Sequence, residues 1–287
     1  MILNGVELAQ QIKSDLRSRV SKFVNASGVR PCLAVVLTTN DPASRLYVKK
    51  KQEACQEVGI RSILFEPLRD QDEDYPLLEI NNRLALLNDD PKVNGILVQL
   101  PLPESVDRRM VFRAIHPHKD VDVLHPENVG LLMQGQPRYL TCTPHGVMQM
   151  LWRSGIEILG KRAVVINASD IVGKPLAMML TQEGATVTIC HDKTPPDTLK
   201  EISRSSDIVV VAVGKPGFLT VDMVKPGATV IDVGITRINN RVVGDVDFEA
   251  VKEVAGAISP VPGGVGPLTV SMLLYNTLQA TEMQLAG

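Results

Sequence analysis

Apolar positions along the chain follow two alternating rhythms. Val6, Leu8, Ile12, Leu16, Val20 and Phe23 fall at helical spacing, and the run breaks at Gly28 and Pro31, after which CLAVVLTT reads as a buried strand. The pattern then repeats. Helix 44–58 leads to strand 60–66, helix 73–88 leads to strand 95–99, and helix 105–115 follows. Between 117 and 144 proline and turn residues concentrate with little periodicity, which places a domain crossing there. Beyond it, strands at 163–167, 185–190, 207–213 and 228–234 alternate with helices, the order of a doubly wound nucleotide-binding sheet. The final element, LTVSMLLYNTLQATEM, reads as an amphipathic helix able to pack back on the first domain. The expected fold class is therefore α/β with parallel sheets, in two domains. The first covers 1–143 and is completed by the C-terminal helix at 267–287; the second, Rossmann-type, covers 144–266.

Composition agrees with that division. A chain of 287 residues exceeds the length at which one hydrophobic core usually stops growing, and its 44% hydrophobic residues supply two. With 30 basic against 32 acidic residues, the net charge of -2 argues against a nucleic-acid surface or a polybasic membrane contact. Cys32, Cys55, Cys142 and Cys190 lack the short paired spacing of zinc or redox sites and read as small buried apolar residues. The N-terminal stretch turns polar too early for a secretory signal, and no apolar run is long enough to span a bilayer, so a cytoplasmic enzyme is expected.

Several segments carry candidate chemistry. In DPASRLYVKKKQEACQEVGI, Asp41 and Pro42 open a helix that places Ser44, Tyr47 and Lys51 on one face. A lysine in a cleft that disfavours its charge can titrate nearer neutrality and act as acid or base, whereas the alternative is a solvated lysine run. Gln99 ends the strand GILVQ, at the carboxyl edge where open parallel sheets bind ligands, and could hold Lys51 in place. HKDVDVLHPENVG gathers His118, Asp120, Asp122 and His125; no metal site is expected there, and one carboxylate bonded to a polar ligand ring is the simpler use. AVVINASDIVGKP has the layout of a phosphate turn between strand and helix, with Asn167 where the usual form has glycine. Asparagine tolerates positive φ, so the tight turn is expected to survive, leaving Ser169 and the amides before Gly173 free to meet a pyrophosphate. Asp192, at the end of the next strand, can accept hydrogen bonds from ribose hydroxyls and would repel a 2′-phosphate, with Lys193 partly offsetting its charge. SPVPGGVGPLTV, with Pro262 and Gly263, is a rigid turn that a flat ligand can approach closely.

These segments, in this order, resemble the bifunctional methylenetetrahydrofolate dehydrogenase/methenyltetrahydrofolate cyclohydrolase family, FolD. PAS-x-x-Y-x-x-x-K is matched by Pro42, Ala43, Ser44, Tyr47 and Lys51, and GILVQLPLP, KDVD, HPENVG, CTPHG, IVGKP, VAVGKPG, VIDVGI and PVPGGVGP are similar to its signatures. The resemblance covers essentially the whole chain. It implies oxidation of 5,10-methylenetetrahydrofolate by NAD(P), then hydrolysis of the methenyl product to 10-formyltetrahydrofolate, in a homodimer. It also implies that Lys51 is the catalytic lysine of the second step, that Gln99 tunes it, that Tyr47 stacks on the folate and that Asp122 holds the pterin. Ser44, Pro262 and Gly263 would complete the substrate site. Asn167, Ala168, Ser169, Ile171, Asp192 and Ile235 would line the cofactor site.

The chain departs from the family pattern at three places. Asn167 and Ala168 replace a G-R-S or G-A-S turn, and Asp192 replaces a frequent serine, which removes polar contacts to a 2′-phosphate. NADP is the family default, and the local charge leans toward NAD. Val123 replaces the glycine usual after Asp122, and a branched residue resists positive φ, so the loop is expected to differ there. Two alternatives remain open: a cyclohydrolase with a degraded dinucleotide site, and a non-catalytic metabolite-binding regulator.

Overall fold

The structure, a computed structural model, describes residues 1–66, 77–239 and 241–286. The chain divides into two compact units, Gln11–Cys142 with Val270–Gly287, and Met1–Gln10 with Thr143–Thr269. The first ten residues group with the later segment because Leu3 N–H donates to Ile258 O at 2.8 Å and Val6 N–H to Gly263 O at 3.2 Å.

The elements of the earlier segment are α1 (Gly5–Ser27), β1 (Cys32–Val36), α2 (Pro42–Val58), β2 (Arg61–Phe65), α3 (Leu77–Asp89), β3 (Gly95–Val98), α4 (Arg108–Ala114) and α5 (Pro126–Met133). Of the helix expected at 73–88, residues 73–76 lie outside the described residues. The three strands pair in parallel in the order β2-β1-β3. The central strand is buried along its whole length, as a continuous apolar run in a covered parallel sheet should be. One face packs Ala34, Val36, Ile96 and Val98 against Ile80 and Leu84 of α3. The stretch read as irregular contains a helix, α5. Pro126 sits in its first turn with φ already helical, and the His125 Nδ1 accepts the Glu127 N–H as N-cap.

The later segment holds α6 (Cys142–Arg153), β4 (Arg162–Ile166), α7 (Gly173–Gln182), β5 (Thr186–Cys190), α8 (Pro196–Arg204), β6 (Ile208–Val211), β7 (Thr229–Asp232), β8 (Thr236–Ile238), β9 (Arg241–Val243), α9 (Phe248–Val251), β10 (Ala257–Ile258) and α10 (Val265–Ala286). Five strands form a parallel sheet in the order β10-β7-β6-β4-β5, and β8 and β9 form a separate antiparallel hairpin. The chain runs from β4 outward to β5, then returns to the other side of β4 as β6. Such a reversal opens a crevice at the carboxyl ends of β4 and β6, the place where doubly wound sheets bind ligands.

The last helix is not amphipathic. Met272, Leu273, Leu274, Leu278 and Ala280 are buried, and so are Ser271, Asn276, Thr277 and Thr281, so apolar and polar faces alike are covered. Thr277 and Thr281 are accommodated by donating their hydroxyls to the carbonyls of Leu273 and Thr277, one turn back. Among the described residues no helix is long and apolar enough to cross a membrane.

His145 on α6 is 4% exposed, with its ring edge-on to Trp152 and its Nε2 3.2 Å from the Gln149 amide nitrogen. Burial pushes its imidazole from the ordinary 6.5 down to about 4, so the fold favours the neutral ring. That contribution is complete above the unfolded value and is lost as pH falls from there toward the folded one, by roughly 3 kcal/mol in all. Urea unfolding at neutral and mildly acidic pH checks it: wild type is expected to lose more stability over this window than His145→Gln.

Candidate active site

Helix α2 is fixed at both ends by local chemistry. The Asp41 carboxylate accepts both the Ser44 N–H and the Ser44 hydroxyl at 2.8 Å, Pro42 lies in the first turn, and Gly59 closes the helix at φ 88. Ser44 is buried and its hydroxyl is engaged in this cap, with the Leu100 carbonyl 3.4 Å away. One turn apart on the same helix, Tyr47 and Lys51 are half-buried. The Lys51 Nζ donates to Gln99 Oε1 at 2.9 Å, and Gln99 Nε2 in turn donates to the Leu100 carbonyl at 2.6 Å. The strand-end amide thus orients the lysine and is itself oriented by its own loop.

Asp122 supplies the charge in this cluster. Burial pushes the Lys51 ammonium below its ordinary value, and the Asp122 carboxylate opposes that shift. Burial pushes Asp122 up, with Lys51 and the Cys142 thiol opposing. Burial disfavours both charges, and each group favours the charged form of the other. The two aspartates of KDVD divide their work. Asp120 is buried and accepts from the amides of Leu124 and His125 and from Asn128 Nδ2, so it shapes the loop, while Asp122 faces the lysine. Lys119 ties the loop to α3 by donating to the carbonyls of Leu87, Asn88 and Asp90 at 3.0, 2.7 and 2.8 Å. The His118 carbonyl accepts the Tyr139 hydroxyl at 2.8 Å and the Gln284 amide at 2.9 Å. Among the described residues no group of three or more His, Cys, Asp and Glu is placed to hold a metal ion.

Val123 corrects one expectation. It takes φ 64 despite its branched side chain, so the loop keeps the conformation that glycine would give it. The strain, about 1–2 kcal/mol for a residue with a Cβ, is held by complete burial of the side chain.

Two groups escaped the sequence reading. Cys142, read as a small apolar residue, donates its thiol to the Val121 carbonyl at 3.4 Å, and its presence favours the charged form of Asp122. Asn276 of α10 donates to the carbonyls of Val121 and Leu140, both at 2.8 Å. Only an asparagine in the middle of a strongly apolar helix could have signalled the second.

In the other unit the turn after β4 is built differently from the expectation. Asn167 does not adopt positive φ, for Val123 and Asn239 alone do so among described non-glycine residues. Its side chain organises the turn instead. Oδ1 accepts the Ser169 N–H, the Ser169 hydroxyl and the Gly173 N–H at 2.8, 2.6 and 3.0 Å, while Nδ2 donates to the Ala212 carbonyl at 2.6 Å. Of the groups expected to be free, the Ser169 hydroxyl is engaged by Asn167, and the Val172 amide, just before Gly173, donates to that hydroxyl at 3.2 Å. Gly173 is obligatory, since a Cβ there would lie 1.9 Å from the Asn167 carbonyl oxygen. Ala168 and Ile171 are half-buried in this turn. Asp192 follows β5 fully in solvent, paired with Lys193 at 3.1 Å, and Ile235 follows β7 with 49% of its surface exposed. Pro262 and Gly263 belong to this unit, in a turn with a cis Val261–Pro262 bond and Gly263 at φ 101.

A small parallel-sheet unit carrying a lysine–amide–acid cluster, joined in one chain to a doubly wound nucleotide-binding unit, defines a two-domain α/β enzyme. The family model for the tetrahydrofolate dehydrogenase/cyclohydrolase catalytic domain matches residues 3–122, and that for its NAD(P)-binding domain matches residues 141–285. "Bifunctional protein FolD" of Geobacillus thermodenitrificans is 51% identical over 288 residues, covering 100% of this chain and 98% of the relative. The FolD crystal structure from Campylobacter jejuni is 44% identical with a TM-score of 0.94, covering 99% of both chains. That of Trypanosoma brucei, complexed with NADP cofactor and inhibitor, is 38% identical with a TM-score of 0.94, covering 100% of this chain and 99% of its own. The chain belongs to the tetrahydrofolate dehydrogenase/cyclohydrolase family, FolD, and carries both of its domains.

Since Asp122 favours the charged form of Lys51, Asp122→Asn is expected to lower the lysine's pKa further. A nitrogen NMR titration of Lys51 in wild type and variant measures it; an unchanged or raised value would contradict the pairing.

Proposed function

We propose that this chain performs both FolD reactions at one folate site whose working residues are Lys51, Tyr47, Gln99 and Asp122. The chain oxidises 5,10-methylenetetrahydrofolate to 5,10-methenyltetrahydrofolate with NAD(P)+ and hydrolyses the product to 10-formyltetrahydrofolate. The observation that carries the assignment of residues is the Lys51–Gln99 hydrogen bond beside the half-buried Asp122, whose charge favours the ammonium. Tyr47 offers an aromatic face on the same side of α2, suited to stacking on the folate, and Asp122 offers a carboxylate to the polar edge of the pterin ring. Ser44, in the cap of α2, adds a further substrate contact in this unit.

In the hydration step a neutral Lys51 takes a proton from water as its oxygen bonds to the electrophilic methenyl carbon. The lysine then returns that proton to the ring nitrogen as the carbon–nitrogen bond opens, and the hydroxyl releases its remaining proton to water as the formyl C=O forms. Gln99 keeps the amine aimed through both transfers and adds no charge.

The residues at the carboxyl edge of the large sheet fit a dinucleotide. On this reading Asn167, Ala168, Ser169 and Ile171, in the turn after β4, would border the dinucleotide together with Asp192 after β5 and Ile235 after β7. When bound, the nicotinamide supplies the hydride acceptor. NADP is the cofactor of this reading, supported by the Trypanosoma brucei relative's complex. The exposed Asp192 works against a 2′-phosphate. We extend the reading to a cytoplasmic homodimer, which the family resemblance supports and a mass measurement in solution tests.

Lys51→Met is expected to keep the fold and folate binding and to lose hydration by about 100-fold or more. Wild-type cyclohydrolase rates in that variant would overturn the role of Lys51. Growth of methenyltetrahydrofolate absorbance that depends on added cofactor separates the bifunctional reading from a cyclohydrolase alone. Asp192→Ser is expected to lower KM for NADP and, by removing the carboxylate that accepts from the ribose hydroxyls, to raise KM for NAD; steady-state kinetics with each cofactor decides it.

A further inference from the structure

Two carboxylates are buried in the nucleotide-binding unit, at the end of the sheet that faces the crevice. Asp232 closes β7 and is 3% exposed; Asp245 follows β9 and is fully buried. The Asp232 carboxylate accepts the amides of Gly234, Asp245 and Val246 at 2.9, 3.0 and 2.9 Å, and its own N–H donates to Ser259 Oγ at 2.8 Å. It therefore fixes the backbone that carries Asp245. The Asp245 Oδ2 reaches across to β6 and accepts the amides of Val213 and Gly214 at 2.5 and 2.9 Å.

Both acids press against glycines that leave no room for a side chain. A Cβ on Gly234 would lie 2.2 Å from the Asp245 carboxyl carbon, and one on Gly244 would lie 2.0 Å from Asp232 Oδ2. The Asp245 Oδ1 is buried and accepts no hydrogen bond among the described residues. A buried acid with one oxygen unpaired costs stability, so its retention calls for a return elsewhere.

The location indicates what that return is. The turn after β6 borders the crevice opposite the phosphate turn of β4, and three consecutive backbone groups of it are held by side chains. Asn167 takes the Ala212 carbonyl from one side, and Asp245 takes the Val213 and Gly214 amides from the other. A dinucleotide laid across the crevice puts one mononucleotide half on the β4 side and the other on the β6 and β7 side. Hydride transfer needs that second half held to a fraction of an ångström.

We propose that Asp245 is a positioning residue for the dinucleotide: its carboxylate, set by Asp232, locks the turns after β6 and β7 into the wall that receives the cofactor's second half. The proposal rests on the dehydrogenase reading above. Asp245 touches neither substrate nor reacting atoms.

The full-length enzyme tests it through its two activities, because hydrolysis of methenyltetrahydrofolate uses no dinucleotide. Asp245→Ala is expected to raise KM for the dinucleotide about tenfold and to weaken NADPH binding, read by its fluorescence, in proportion. Cyclohydrolase kcat and folate KM stay at wild-type values. Asp245→Asn, which keeps an oxygen for the two amides, recovers most of the affinity. Gly234→Ala retains the carboxylate but displaces it, and is expected to reproduce the selective loss. Unchanged NADPH affinity in Asp245→Ala or Gly234→Ala overturns the proposal, and so does a parallel fall of both activities, which marks a structural role only. Wild type that binds NADPH yet transfers no hydride would count against the functional reading instead, and the affinities would still decide the role of Asp245.

Discussion

The hydrogen bond from Lys51 to Gln99 is the constraint around which the folate unit is arranged. It joins a helix to the end of a strand, and both partners are where they are for reasons of backbone structure. The lysine's place follows from the Asp41 and Pro42 start of α2, which sets the phase of the helix. The glutamine's place follows from the buried β3, whose four strand residues alternate against β1 and leave the next side chain at the sheet's carboxyl edge. A shift of one residue in that register would turn Gln99 to the other face of the sheet and leave Lys51 without its acceptor.

Asp122 reaches the same cluster by a longer route, and most of its loop serves to bring it there. Lys119 spends all three ammonium hydrogens on carbonyls at and beyond the end of α3, which anchors the loop on one side. Asp120 and Asn128 close it on the other. Cys142 and Asn276 then hold the stretch around Val121 from beneath. With so many bonds fixing the loop, the positive φ at Val123 is tolerable. Its cost is small against the buried hydrogen bonds that would break if the loop relaxed.

What the sequence revealed of this architecture follows from which features are periodic. Burial on a helix or strand imposes spacing, so the alternation of α2, β2 and β3 and of the strands β4 to β7 was legible, as was the helical phase of Tyr47 and Lys51. Side-chain hydrogen bonds impose no spacing. Asn167 was recognised as taking the place of a glycine, yet its φ is ordinary and its carboxamide holds three donors. Helix α5 hid in a proline-rich stretch because proline at the start of a helix looks, residue by residue, like proline in a loop. The last helix misled for the opposite reason. Burial on most of its faces mixes apolar with internally bonded polar residues, which in one dimension resembles amphipathicity. Cys142 gave no sign at all, since a thiol donating to a backbone carbonyl and a thiol filling space are the same letter.

The neutrality of Gln99 connects these local facts to two successive reactions. On the proposed reading, loss of hydride leaves a cation on the folate carbon, and an ammonium nearby would raise the barrier by like-charge repulsion that a low-dielectric site screens poorly. A neutral amine avoids this. The same neutral amine has the lone pair that water activation needs in the second step. Burial thus adapts Lys51 to both reactions, while the Asp122 carboxylate pulls the other way by favouring the ammonium. Had the strand ended in glutamate, the lysine would have kept an acceptor and gained a second anion beside it, and the ammonium would be held charged through the whole cycle. An amide supplies the hydrogen bond alone, so orientation and charge are set by different residues: Gln99 aims the amine, and Asp122 against burial decides how often it is protonated.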